Sequence, residues 1–289
     1  MKVGNKPPWI RYRIPSGPAY LKVKRTVSGL GLHTICTEAG CPNCGECFAL
    51  GTATFLILGD TCTRDCAYCA VKKGAPLPPD MDEPGKVARA VQELELKYAV
   101  ITSVTRDDLP DGGASLFAET CRSIESASPG CRTELLVPDF SGSMEKSLEV
   151  ILREKVHILN HNIETVKEFF PLLRPSGSYR NSLELLRLAS GMGALVKSGI
   201  MVGFGETKDE IRAAMDDLVK AGCGILTIGQ YLKPGRNFFE VARYYHPDEF
   251  EELKRMGMDA GFHRVVSGPN VRSSYHAAEI STPGDNADE

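Results

Sequence analysis

Cys62-Thr63-Arg64-Asp65-Cys66-Ala67-Tyr68-Cys69 places three cysteines at x3 and x2 spacing. It follows Ala53-Thr54-Phe55-Leu56-Ile57-Leu58-Gly59, an apolar run closed by glycine that predicts a buried strand. Three thiols are therefore expected on one loop at a strand's carboxyl end. A closed structural metal site takes four ligands, so three close cysteines without a local fourth point to a cluster with one open coordination position. A zinc site completed by a distant fourth ligand is the competing reading of a bare triple. A second triple upstream, Cys36, Cys41 and Cys47 at x4 and x5 spacing, tips the balance, because two incomplete triples in one short segment are hard to explain as coincidence.

The upstream stretch also contains Cys44, which forms CxxC pairs with both Cys41 and Cys47. A zinc knuckle thus competes here, and spacing alone does not choose which three of the four bind. Pro42 and Gly45 predict loop rather than helix.

Downstream, apolar runs over 98–104, 133–137, 156–160, 194–202 and 225–228 read as strands, each preceded by a helix-like segment. One helix is predicted from Thr207, where Thr207 and Glu210 form a capping box and Ile211, Ala214, Met215 and Leu218 make the apolar stripe. Another starts near Pro84, with Val87, Val91 and Leu94 on one face. Six or so strands alternating with helices predict an α/β fold, a partial (β/α)6 barrel of the TIM type. Polar residues at strand carboxyl ends then become functional candidates. They are Thr105, Arg106, Asp107 and Asp108 after the second strand, His161, Asn162 and Glu164 after the fourth, and Gly203, Gly205 and Glu206 after the fifth. Each alone reads equally well as a helix cap or a solvated loop charge; the repetition carries the weight.

With 42% hydrophobic and 25% charged residues, a chain of 289 fits one large soluble domain, or a domain with extensions, whose core needs no staples. The start lacks an apolar signal core, and cysteines at x2 to x5 spacing look like metal ligands, so a reducing compartment is expected. No apolar run is long enough to cross a bilayer, and a net charge of -3 gives no field for nucleic acid. Residues 1–37 nevertheless hold seven basic residues and no acid: Lys2, Lys6, Arg11, Arg13, Lys22, Lys24 and Arg25. Such an arm could dock an acidic macromolecule. It also reads as a solvated extension, or as an organelle transit segment, although Pro7, Pro8, Pro15 and Pro18 argue against an amphipathic helix.

The chain closes with Arg272-Ser273-Ser274-Tyr275-His276-Ala277, where the serines read as a turn or cap, and a polar stretch, 281–289, expected to be disordered. Cys121, Cys131 and Cys223 are expected to be buried small hydrophobes. His33, His161, His246 and His276 are expected to be ordinary hydrogen-bonded residues rather than ligands.

Taken together, CTRDCAYC, CTEAGCPNCGEC, GTATFLILGDTC, SVTRDDLPDGGA, HNIETV, MVGFGET, TIGQYLKP and SGPNVRSSYHA resemble the lipoyl synthases, a family of radical S-adenosylmethionine enzymes, from about Leu32 to Ala277. The resemblance implies that Cys62, Cys66 and Cys69 hold a 4Fe-4S cluster that binds S-adenosylmethionine. It gives Cys36, Cys41 and Cys47 a second, auxiliary 4Fe-4S cluster with Ser274 as an unusual fourth ligand, replacing the cap reading of that serine. Tyr68, Arg106, Asn162, Glu164, Arg174 and Glu206 become candidate contacts to S-adenosylmethionine. The family treats the position of Cys44 as a non-ligand, so this cysteine is a departure.

The implied activity is insertion of two sulfur atoms, at C6 and C8 of an octanoyl group on a lysine of a carrier domain, with the auxiliary cluster as sulfur donor. Those carbons cannot stabilise an anion, so acid-base catalysis offers no route and a radical is required. The implied partners are octanoylated lipoyl domains of 2-oxoacid dehydrogenase E2 subunits and the glycine cleavage H protein, an electron donor such as ferredoxin or flavodoxin, and a cluster repair protein. The implied location is the cytoplasm, or an organelle matrix in a eukaryote. The implied division is 1–50 for the auxiliary-cluster extension, 51–270 for the partial barrel and 271–289 for the RSSYHA segment and tail. A biotin synthase or methylthiotransferase is the nearest rival, disfavoured by RSSYHA and the upstream spacing. A noncatalytic iron-sulfur carrier or zinc module would have little need of the strand-end polar residues.

Overall fold

The computed structural model describes residues 6–11, 16–50, 52–275 and 277–280. Lys2, Arg13, His276 and the tail 281–289 lie outside the described residues. The apolar runs become strands β1 (His33–Thr34), β2 (Thr54–Ile57), β5 (Tyr98–Ser103), β6 (Arg132–Leu136), β7 (Ile158–Asn160), β8 (Val196–Val202), β9 (Ile225–Gln230) and β10 (Arg264–Gly268). They form one sheet in the order β1-β2-β5-β6-β7-β8-β9-β10, parallel throughout except for β1. A two-stranded ribbon, β3 (Thr61–Cys62) and β4 (Lys72–Lys73), stands apart from it.

The strands are buried on both faces, as expected of a parallel sheet covered by helices. Ala99, Ile101, Leu135, Leu159, Leu226 and Ile228 join the main core, together with apolar residues from helices Glu83–Glu93, Ala114–Ala127, Met144–Leu152, Tyr179–Gly191, Lys208–Lys220 and Pro247–Ala260. Each fully buried aliphatic side chain there contributes roughly 1.5–3 kcal/mol. Thr207 and Glu210 form the expected capping box, with N–H···O distances of 3.2 and 2.7 Å. The same device appears unpredicted at Pro247–Ala260, where the imidazole of His246 accepts from the Asp248 N–H at 3.3 Å.

The intervening strand positions face inward. Tyr98 and Val100 pack on Ala277, and Ile158 and Ile225 pack near Val266. Between these layers lies a fully buried ion pair, the Lys197 ammonium 2.9 and 3.1 Å from the two Glu134 carboxylate oxygens. Tyr98 and Asn160 each donate to the same carboxylate at 2.8 Å. Four hydrogen bonds from three side chains satisfy a charge that would otherwise be prohibitively costly inside a barrel.

Three expectations change. A seventh parallel strand, β10, extends the six; its half-apolar run Arg264-Val265-Val266-Ser267-Gly268 gave little signal. The Cys41–Cys47 stretch is not all loop, because Cys44–Ala49 is helical and includes Gly45. The basic arm contains the helix Pro18–Gly29, which buries Val23 and Val27. Pro18 opens that helix rather than breaking it, since the first turn has no need of its missing N–H. Lys22, Lys24 and Arg25 lie exposed on its outer side. No helix among the described residues is long and apolar enough to cross a membrane.

Candidate active site

The carboxyl ends of the parallel strands open into a cavity of about 670 Å³. Cys62 lines it from the end of β3, Cys66 and Cys69 from the loop between β3 and β4, and Cys36, Cys41, Cys44 and Cys47 from the upstream segment. All ten cysteines are free thiols, and Cys121, Cys131 and Cys223 are buried as expected. Among the described residues no three His, Cys, Asp or Glu side chains converge tightly enough for a single metal ion.

How the first cysteine loop is held follows from the end of β2. Leu58 has φ 69°, which turns the chain off the sheet. Its N–H donates to Glu83 at 2.7 Å and its carbonyl accepts from the Arg106 guanidinium at 3.1 Å. Arg106 also pairs with Asp108 at 2.8 and 2.9 Å. Arg106 is thus buried behind the turn it braces, and it is not among the cavity-lining residues. Glu206 is likewise not among them. Its carboxylate accepts from the N–H groups of Gly203, Phe204 and Gly205 at 2.6, 2.9 and 3.1 Å, and from the Tyr245 hydroxyl at 2.8 Å, shaping the loop after β8.

Arg64, inside the cysteine loop, is the residue whose role sequence reasoning missed. Its guanidinium reaches Asp107 at 2.7 and 2.8 Å and Asp139 at 2.6 and 2.8 Å. The two carboxylates come from the segments after β5 and β6, so one buried side chain pins the loop to two strand ends. Burial alone would push the Asp139 carboxyl up, but bonding to Arg64 and its charge hold it below the ordinary carboxylate value. Beyond Arg64, the Ala67 N–H donates to Leu173 and the Ala67 carbonyl accepts from Phe239, at 2.9 and 3.0 Å. Lys73 donates to the Cys66 carbonyl at 3.0 Å.

Tyr68, Asn162, Glu164 and Arg174 do line the cavity. Arg174 donates to the Asn162 carbonyl at 3.0 Å, and the Asn162 amide donates to Glu164 at 3.2 Å and to Ser273 at 3.1 Å. Glu164 has φ 69°, a strained conformation for a non-glycine residue, and burial pushes its carboxyl up. The Asn162 Oδ1 and the Arg174 Nε are buried without a hydrogen-bond partner. An acceptor, a cation and a carboxylate around one space, with orphaned polar atoms, suit a zwitterionic ligand beside the first cysteine loop. Burial pushes the thiols of Cys36, Cys47 and Cys69 up to about 12. The same burial raises Cys121 and Cys223, so the shift reports desolvation, and thiolate formation at the cavity would need the positive charge of a metal.

The tail reaches the same cavity because β9 lets it pass. A Cβ at Gly229 would lie 2.0 Å from the Val271 carbonyl oxygen and 3.1 Å from the Arg272 guanidinium. Only glycine admits that crossing, which places Arg272, Ser273 and Ser274 at the cavity. Gly229→Ala is expected to unseat the tail while leaving the barrel folded. Limited proteolysis after Val271 should then accelerate with little change in the circular dichroism spectrum.

His161 also lines the cavity but is fully committed, its Nδ1 2.8 Å from the Val137 carbonyl and its Nε2 2.9 Å from the Ser182 hydroxyl. Burial, then the nearby Arg174 charge, lowers its pKa to about 4. The folded chain therefore binds fewer protons at this residue than the unfolded chain does. Stability from His161 is complete above pH 6.5 and declines as pH falls toward 4, by roughly 2 kcal/mol at pH 5. Urea midpoints at pH 7 and pH 5 should show that loss, and His161→Gln should reduce it.

Residues 56–218 match the radical SAM superfamily model, and residues 3–41 match the model of the N-terminal domain of lipoyl synthase of the radical SAM family. The lipoyl synthase of Rubrobacter xylanophilus is 51% identical over 276 residues, covering 95% of this chain and 86% of that one. Those of Oleidesulfovibrio alaskensis and Caldicellulosiruptor bescii are each 50% identical, over 94% of this chain and 93% and 94% of theirs. Among solved structures, methylornithine synthase superposes with a TM-score of 0.57 at 14% identity, over 81% of this chain and 76% of that one. Streptococcus suis SuiB bound to S-adenosylmethionine gives 0.56 at 9%, over 78% and 54%. These two share the fold alone. At half identity along nearly its whole length, with both cysteine groups on one cavity, the chain belongs to the lipoyl synthase family of radical SAM enzymes.

Proposed function

We propose that this chain is a radical S-adenosylmethionine sulfurtransferase that inserts two sulfur atoms, at C6 and C8 of an octanoyl group borne on a lysine of a lipoyl domain. The observation that carries this reading is the meeting of Cys62, Cys66 and Cys69 with Cys36, Cys41, Cys47 and Ser274 at one cavity. When bound, a 4Fe-4S cluster with S-adenosylmethionine supplies the radical chemistry that saturated carbons require, and a second cluster supplies sulfide.

The chain's own residues hold and shield. Cys62, Cys66 and Cys69 would ligate the first cluster, while Tyr68, Asn162, Glu164 and Arg174 would contact S-adenosylmethionine. Arg106 and Glu206 shape the surrounding loops through the bonds described above. Cys36, Cys41 and Cys47, with Ser274, would hold the second cluster. An oxygen donor binds iron less tightly than thiolate does, which suits a site that must give up sulfur. Leu56, Leu136, Val137 and Met201 line the cavity and offer an octanoyl chain a dry path. The division 1–50, 51–270 and 271–289 follows these roles.

Exposed Lys22, Lys24 and Arg25 would meet an acidic carrier domain, of the 2-oxoacid dehydrogenase E2 or glycine cleavage H type. Ferredoxin or flavodoxin would supply electrons and a repair protein would rebuild the cluster. The unpaired thiols suit the reducing cytoplasm.

The test is anaerobic turnover of the reconstituted protein with S-adenosylmethionine, a reductant and an octanoyl-lysine peptide, read by mass spectrometry. The expected result is a peptide gaining two sulfurs and losing two hydrogens, alongside 5'-deoxyadenosine. Formation of 5'-deoxyadenosine with an untouched peptide would reject the substrate; absence of both from protein with full clusters would reject the reaction.

A further inference from the structure

The proposed ligand sets leave one cavity thiol without a task. Cys44 lines the same cavity as Cys36, Cys41, Cys47 and Ser274, and it is half-buried rather than turned out to solvent. Its N–H donates to the Cys41 carbonyl at 3.2 Å as it opens the helix Cys44–Ala49. The helix start therefore sets its place within the group of thiols.

Two hydrogen bonds stitch this segment to the tail. The buried Asn43 amide donates to the Asn270 carbonyl at 2.6 Å, and the Tyr275 hydroxyl donates to the Glu46 carboxylate at 3.1 Å. Cys44 lies between Asn43 and Glu46 in sequence, and Ser274 lies between Asn270 and Tyr275. The two stitches thus bring the segment carrying Cys44 alongside the segment carrying Ser274. The Asn162–Ser273 bond and the crossing at Gly229 hold the tail from its other side.

We propose that Cys44 is a second donor for the auxiliary iron that Ser274 holds, so that this site has two ligand sets: three thiolates with the serine oxygen, or four thiolates. This rests on the auxiliary-cluster reading above. The exchange is a ligand substitution without redox change: the Cys44 S–H bond breaks and an Fe–S bond forms. The Fe–O bond breaks, and the proton passes to the Ser274 oxygen. Thiolate is the softer donor and binds this iron more tightly, so the four-thiolate form retains its iron and the serine form releases it. Cys44 would thereby protect the cluster when the tail is displaced.

The experiment removes the first cluster with Cys62→Ala, Cys66→Ala and Cys69→Ala in the full-length chain, then adds Ser274→Ala alone or with Cys44→Ala. Iron and acid-labile sulfide counts, Mössbauer spectra and electron paramagnetic resonance report the auxiliary site without reference to turnover, and circular dichroism checks folding. Ser274→Ala is expected to keep the four-iron form, with Mössbauer parameters shifted toward all-thiolate coordination. Adding Cys44→Ala is expected to lose one iron of the four and produce a three-iron signal. A three-iron form from Ser274→Ala alone would overturn the proposal, as would a four-iron form that survives loss of both donors. A folded parent that binds no iron would reject the auxiliary-cluster reading itself, a distinct result that removes the proposal with it.

Discussion

Reconstituted Cys36→Ala protein is expected to form 5'-deoxyadenosine from S-adenosylmethionine and leave an octanoyl-lysine peptide without sulfur, whereas Cys62→Ala is expected to do neither. The separation follows from the two origins of the cavity thiols. Cys62, Cys66 and Cys69 sit on a loop braced by Leu58, Arg64 and Ala67 against the barrel, and none of those bonds involves the upstream segment. Cys36 lies in a one-turn helix, Ile35–Glu38, packed at the antiparallel edge of the sheet. Losing its thiol should leave the first loop intact. The loss of peptide product should be complete in both variants, and the loss of 5'-deoxyadenosine complete only in Cys62→Ala. Chromatography of both products from one reaction measures the split, and loss of 5'-deoxyadenosine in Cys36→Ala would show that the two sites are not independent.

Arg64→Met is expected to destabilise the fold by about 3–5 kcal/mol, the usual consequence of leaving a buried carboxylate without its cation. Asp139 is 1% exposed, and its ion-pair partner is Arg64. Asp107, the other partner, is partly exposed and can be rehydrated, so Asp107→Asn should cost much less. The pair Arg64→Met with Asp139→Leu should recover much of the stability, because it removes the stranded charge. It should not recover cluster binding, since the loop would still lack its two anchors. Urea denaturation reads the first effect and iron content per chain the second. Normal iron content in the double variant would mean that the clamp serves folding alone.

The parallel α/β plan was legible because its signals are local. Apolar runs of strand length, a capping box at Thr207 and a proline at the start of Glu83–Glu93 each act over a few residues. Strand β10 and the helix Cys44–Ala49 were not, since Arg264-Val265-Val266-Ser267-Gly268 is only half apolar and Gly45 ordinarily argues against helix. In both, packing overrides a weak local preference: Val265 joins the main core and Gly45 is buried.

The cysteine spacings alone identified two groups of thiols, and the strand-end pattern alone marked Asn162, Glu164 and Arg106 as polar residues near a barrel mouth. Only the tertiary structure separated these candidates, turning Asn162 and Glu164 toward the cavity and Arg106 behind it to brace Leu58. Only the fold, too, could join Arg64 to Asp139, 75 residues away, or bring Asn270 and Tyr275 to the segment around Cys44. The reason is one of range. Spacing reports contacts along the chain, whereas the direction of a side chain at a strand end depends on which distant backbone or carboxylate can satisfy its hydrogen bonds in a buried setting.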